Sequence, residues 1–391
     1  TPLLNANNNN VYTIVVPAED VAVSASDLNA INELTTVAVD LINVTSITSS
    51  SFVDLGIFGT AIGNSEFSNA TGITTIALSD TTVDATTLAA TIDSIDTING
   101  DTTTDMTLAS GATINVASGE VAHMLLDETE NRLDISDQNI VVTGSISVDD
   151  ANLLSATTAG VVTASITTTE SINELKTLTE TSNAYTIVIS SADATATAED
   201  LNTLDGKTTV TIDASEITSL TGTYAEITSL YNSSGVTGLG NEAISISNEL
   251  TVTEANVLDG LTAGTVTASI ATTETVNSLQ TLTGTNAYTI VISSADATGS
   301  TAAEFNTINA LTTEAIDASA VTGLAKDTIS NISTLLTAGN DTAQFTDTSF
   351  SQLSSVSVFN VTNYLANNTD LANYFSPTNG FMTTEQQEAG A

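Results

Sequence analysis

Runs of five or six β-branched residues alternate along the chain with short segments whose apolar residues fall three apart. The runs include VVTASI from Val161, YTIVIS from Tyr185, TTVTID from Thr208, AISIS from Ala243, TVTASI from Thr265 and YTIVIS from Tyr288. Their length, composition and partial alternation predict strands. The intervening segments open on a hydroxyl followed three residues later by an acid: Thr197 with Asp200, Thr251 with Glu254, Thr301 with Glu304. That spacing predicts a helix start, because the hydroxyl accepts from a first-turn N–H and the acid faces the positive end of the helix. Leu201 with Leu204 and Phe305 with Ile308 then put apolar side chains on one helix face, and Gly206 and Gly260 follow as stops.

The pattern repeats almost letter for letter. NAYTIVISSADAT occupies 183–195 and recurs at 286–298, and a looser copy, NVYTIVVPAEDV, occupies 10–21. Longer copies begin at Gly160 and Gly264. Within them an Asn marks each beat, at Asn152, Asn173, Asn202, Asn256, Asn277 and Asn306, with an early copy at Asn29 and Thr228 in the Asn place of TYAEITSL. The beats are separated by about 21–29 residues, a period that signals stacked repeats. Asn is a poor residue inside a helix, so a tertiary role must favour it. We read the six as a structural ladder whose amides bond each other and the local turn.

A strand plus a short helix cannot bury its own apolar face, so successive copies must stack. The expected fold is a right-handed parallel β-solenoid, β-helix-like, with a short helix in many rungs. The alternative is an all-β parallel β-helix. Residues 1–22 are expected to form an N-terminal arm and first strand, 23–330 the solenoid repeats, and 331–391 a C-terminal cap or assembly segment.

Composition sharpens this picture. Of 391 residues 41% are hydrophobic but only 4% aromatic, so the core must be built of Val, Ile, Leu, Ala and Thr methyls. Asp and Glu number 46 against four Lys and Arg, a net charge of −42. No cationic patch exists to meet nucleic acid or anionic lipid, which argues against both as partners. So much like charge opposes association unless salt screens it, over about 3 Å at 1 M. This fits a salty or divalent-rich exterior. There is no Cys, hence no disulfide or thiolate site, and no apolar run long enough to span a bilayer. The aromatics gather toward the ends. We expect Leu3, Leu4, Tyr364, Tyr374 and Phe375 to serve assembly.

Catalytic chemistry is sparse. His123 is the only His, and no zinc-protease, nucleophile-elbow or phosphate-loop motif occurs. The chain is therefore read as not an enzyme. A carbohydrate-active β-helix enzyme would need paired carboxylates, and 46 acids make chance pairs uninformative. Calcium is the possible ligand, because oxygen donors suit it. The candidates are Asp93, Asp96, Asn99 and Asp101 in DSIDTINGD, with a second acidic turn at Asp127, Glu128 and Glu130.

The segments TTESINELKTLT, NAYTIVISSADAT and TAEDLNTLDG resemble repeats of Thr/Ala-rich acidic surface proteins secreted by marine cyanobacteria, and YLANNTDLANYF is similar to an element near the ends of some type I secreted proteins. The resemblance implies an extracellular surface or matrix role with no catalytic residues to carry over. The expected function is a structural subunit of an extracellular filament, sheath or surface layer, a homopolymer joined end to end at the cell surface with possible contacts to cell-surface glycans. The alternative is an adhesin or phage-fibre-like binding module.

Overall fold

The computed structural model describes residues 11–84, 105–339, 341–346 and 355–356. They belong to two compact units, one of Thr1–Ala192 with Thr203–Ala214, the other of Asp193–Asn202 with Ser215–Ala391.

The first unit holds two five-stranded sheets. One runs through Ala22–Val23, Ser46–Ser50, Thr75–Leu78, Asp105–Thr107 and Leu133–Asp134 in that spatial order. The other runs through Thr82–Asp84, Thr113–Ala117, Asn139–Ile146, Val162–Ile166 and Ala184–Thr186. The second unit holds a third five-stranded sheet, of Thr195–Thr197, Ser219–Gly222, Ala243–Ile246, Val266–Ser269 and Ala287–Thr289. Every neighbouring pair in the three sheets is parallel. In the third sheet Ala196 pairs with Leu220 and Leu220 with Ile244, so each strand of one repeat lies beside its counterpart in the next. The inward residues Leu220, Ile244, Val266 and Tyr288 are buried, while Thr197, Ser245 and Thr267 between them face solvent.

Helices of four to twelve residues connect the strands. Their starts are where the hydroxyl–acid spacing placed them. Thr251 with Glu254 and Thr301 with Glu304 are closed capping boxes, and Asp200 N donates to Thr197 Oγ1. The buried positions Val252, Ala255 and Leu258, and Ala302, Phe305 and Ile308, lie three apart along one face. That face covers the core and leaves the opposite side polar.

The architecture is α/β, several parallel sheets with interleaved helices. This corrects the expectation of a β-solenoid, and equally its all-β parallel β-helix alternative. The described strands form three separate five-stranded sheets and three two-stranded ones rather than one continuous coil wall, and none closes on itself. The physical reason lies in the crossovers. Parallel strands need a long connection, and the capped helices Val148–Thr157, Tyr224–Asn232 and Val252–Asp259 supply it, burying apolar stripes of their own. The helix starts, treated in the sequence as decoration of a β coil, are instead half of the architecture.

Candidate functional site

The polar groups that the sequence singled out converge on the joints between repeats. The thirteen-residue copies show this most fully. Tyr185 is 1% exposed and Tyr288 0%. Tyr185 Oη donates to Ala151 O at 3.2 Å and Tyr288 Oη to Ala255 O at 3.4 Å, carbonyls of the helices Val148–Thr157 and Val252–Asp259. Asn183 and Asn286, two residues before the rings, donate to the same hydroxyls at 3.1 and 3.2 Å. Their Oδ1 atoms accept from Val162 N and Val266 N on the neighbouring strands, at 2.8 and 2.9 Å. The second Nδ2 bond differs, going to Ser155 Oγ from Asn183 and to Asp259 Oδ1 from Asn286. Burial raises the pKa of both phenols. Tyr288 is pushed up to about 12, by burial first and by the Asp259 carboxylate second, against the opposing bond from Asn286. Burial likewise raises Tyr185, with the bonds from Ser155 and Asn183 opposing it.

The other side of each copy bonds to the following repeat. Thr208 and Thr312 each close a two-way bond with the tyrosine backbone, accepting from its N–H and donating to its C=O. Thr35 does the same with Tyr12 at 3.2 and 2.7 Å, which makes the looser first copy a structural equivalent. Isolated parallel bridges join Val15 to Asp40, Val188 to Asp213 and Val291 to Asp317. Glycine is required where the longer copies begin. A Cβ at Gly160 would overlap the Gln138 carbonyl, and one at Gly264 the Glu242 carbonyl.

The Asn row divides in two. Asn152, Asn202, Asn256 and Asn306 donate to Thr177 O, Glu226 O, Thr281 O and Asn331 O, each 24 or 25 residues on, and Asn29 donates to Asp54 O in the same way. Asn152 and Asn256 also accept from Thr179 N and Thr283 N. The amides bond the backbone of the next repeat, not one another as the ladder reading held. Asn173 and Asn277 are exposed and make no such bond among the described residues. Thr228 turns inward to its own helix, donating to Tyr224 O and Ala225 O.

A second set of joints was not foreseen. Carboxylates of a following repeat accept from first-turn N–H groups of the preceding helix: Asp80 from Phe52, Glu170 from Val148, Glu274 from Val252, Asp296 from Val276 and Asp327 from Ala303. Asn248 and Ser50 play this part for Tyr224 and Ala25. An anion is favoured there by the helix dipole and by the otherwise unpaired N–H groups. For Asp327, burial pulls the pKa up, but bonds from Asn331, Thr328 and Ala303 outweigh it and hold the carboxyl below its usual range. The sequence signal is an acid 20–28 residues after a helix start, hidden among so many other acids.

The acidic turn near residue 127 is an ion-pair cluster. Asp127, whose side chain is 3% exposed, lies 3.2 Å from Arg132 Nη1, and Glu130 lies 3.6 Å from the same nitrogen. His123 Nδ1 stands 3.8 Å from Asp127 Oδ2, and Glu128 accepts from Ile135 N. The guanidinium and the Ile135 N–H thus take up carboxylates read as calcium candidates. Asp93, Asp96, Asn99 and Asp101 lie outside the described residues, as do Leu3, Leu4, Tyr364, Tyr374 and Phe375. Among the described residues no group of three or more His, Cys, Asp or Glu is placed to hold a metal, and no helix is long and apolar enough to cross a membrane.

No family model, no curated protein and no solved structure matches the chain.

Proposed function

We propose that the chain is a structural subunit of an extracellular filament, sheath or surface layer that assembles end to end with copies of itself. The observation that carries this reading is the recurrence of one joint. The Tyr–Thr clasp and the strand bridge to an Asp appear at Tyr12, Tyr185 and Tyr288, with the same atoms in the same roles. The recurring amides, hydroxyls and carboxylates thus serve cohesion between repeats. A design of this kind transmits load and extends by adding equivalent copies. The high negative charge suits an exterior where salt or calcium screens repulsion.

Electron microscopy of the purified chain provides the test. Fibres or sheets are expected in about 1 M NaCl or in millimolar calcium, where charge is screened, with dispersal in low salt plus a chelator. Single dispersed particles under every condition would refute the reading.

A further inference from the structure

The outward face of the third sheet is set apart by what it omits. Its strands Thr195–Thr197, Ser219–Gly222, Ala243–Ile246, Val266–Ser269 and Ala287–Thr289 contain no Asp, Glu, Lys or Arg, in a chain with 46 acids. The two sheets of the first unit, by contrast, carry Asp84 and Asp134 on their strands. Hydroxyls take the outward positions instead. Thr197 pairs with Thr221, Thr221 with Ser245 and Ser245 with Thr267, so four hydroxyl residues form one row across four strands. Shorter rows flank it, Thr195 beside Ser219 and Ser269 beside Thr289. Thr197, Ser245, Thr267, Ser269 and Thr289 are exposed, and Thr221 is half-buried. Thr197 Oγ1 caps a helix, accepting from Asp200 N. Among the described residues the hydroxyls of Thr221, Ser245, Thr267, Ser269 and Thr289 bond no other protein group, whereas those of Thr208, Thr262 and Thr312 tie one repeat to another.

Parallel pairing in register turns these residues into a grid. Neighbouring strands lie about 4.8 Å apart, and alternate residues along one strand lie roughly 6.6 Å apart. Hydroxyls at these two spacings lie close to the oxygen repeats on a prism face of ice. Each hydroxyl both donates and accepts, so it can hold a lattice water in either sense, and the threonine methyls exclude waters that do not fit. A charge in the grid would oppose this, because an ion orders its water radially around itself. We propose that the hydroxyl rows of the third sheet bind ice, through water held on Thr197, Thr221, Ser245 and Thr267. A polysaccharide fits less well. Sugar rings stack on aromatic side chains, and the aromatic on these strands, Tyr288, faces inward at 0% exposure. The proposal is independent of end-to-end assembly, since one copy carries the whole grid.

The experiment is partition of the full chain into ice grown slowly from dilute low-salt buffer, with serum albumin as the non-binding reference. The parent is expected to be enriched in the ice and to shape growing crystals into facets, while albumin stays in the liquid. Ser245→Glu and Thr267→Glu each place a carboxylate in the long row at an exposed position. Both should be excluded from ice like albumin, with an unchanged melting temperature. Thr163→Glu, at an exposed strand position of the first unit, should partition like the parent. Exclusion of the parent without faceting overturns the proposal. Equal partition of the parent and both row variants overturns it too, as does an equal loss in Thr163→Glu, which would assign the effect to net charge. Retention of the parent on microcrystalline cellulose together with exclusion from ice would give the face to a polysaccharide instead.

Discussion

The asparagine before each buried tyrosine offers an internal comparison of one joint built with and without a charge. Replacing Asn286 by Ala removes the acceptor of Val266 N, a residue with 0% exposure, and leaves that N–H unpaired in the core. Such a loss costs about 1–3 kcal/mol. It also deletes the 2.8 Å bond to the Asp259 carboxylate and the 3.2 Å bond to Tyr288 Oη. A bond to a charged group contributes about 1.5–3 kcal/mol, so the expected total is roughly 3–5 kcal/mol. Asn183→Ala strands Val162 N in the same way, but its second amide partner is the neutral Ser155 hydroxyl. That bond is worth about 1 kcal/mol, and Asn183→Ala should cost roughly 1 kcal/mol less than Asn286→Ala. The two residues belong to different compact units. Native-state hydrogen exchange read separately on Val162–Ile166 and Val266–Ser269 therefore gives an opening free energy for each joint. A loss below about 1 kcal/mol for Asn286→Ala, or a larger loss for Asn183→Ala, would show that these amides fill space rather than hold the repeats together.

Two further outcomes follow from the same joints. The buried phenols have raised pKa values, so the folded state favours the neutral form. Their contribution is full below the ordinary phenol pKa of about 10 and is lost as pH rises toward the folded value of about 12 for Tyr288. Chemical denaturation at pH 9 and pH 12 should show a Tyr288-dependent loss of up to roughly 3 kcal/mol that Tyr288→Phe abolishes, and an equal pH slope in the variant would overturn the assignment. Gly264→Ala sets a methyl against the Glu242 carbonyl and should cost about 1–3 kcal/mol in urea unfolding, whereas the open site at Gly119 should accept the same change with little loss.

Much of the local structure was legible because it depends on chemistry within a few residues. Thr251 with Glu254 and Thr301 with Glu304 form the expected boxes since both partners lie in one turn. The identical thirteen-residue copies make identical bonds because their neighbours are also copied. What failed was phase. Asn173 and Asn277 satisfy the recurring pattern, yet Ser171 and Thr275 cap those helices in place of the hydroxyls three residues earlier. Each Asn then falls at the second position of a single turn and points to water, whereas Asn152 and Asn256 lie five residues beyond their caps, Ser147 and Thr251, and reach the next repeat. A hydroxyl at the acid position can cap a helix itself, so the pattern admits two registers. The global architecture was misjudged for a related reason. Strand runs stand out as unbroken β-branched letters, while helices such as Val148–Thr157 declare themselves through caps and three-residue spacing alone. The bonds from Asp80, Glu170 and Asp327 to a preceding helix were invisible because nothing local separates a capping acid from a solvated one.

The near-identity of the stretches beginning at Gly160 and Gly264 bears on how such a chain changes over generations. Both glycines fit against a carbonyl of the preceding repeat, and both lead into the same tyrosine joint. Recombination between the two gene segments would insert or delete a whole module whose seams already match on either side. Length is then a heritable variable that can drift or be selected without any new junction having to evolve.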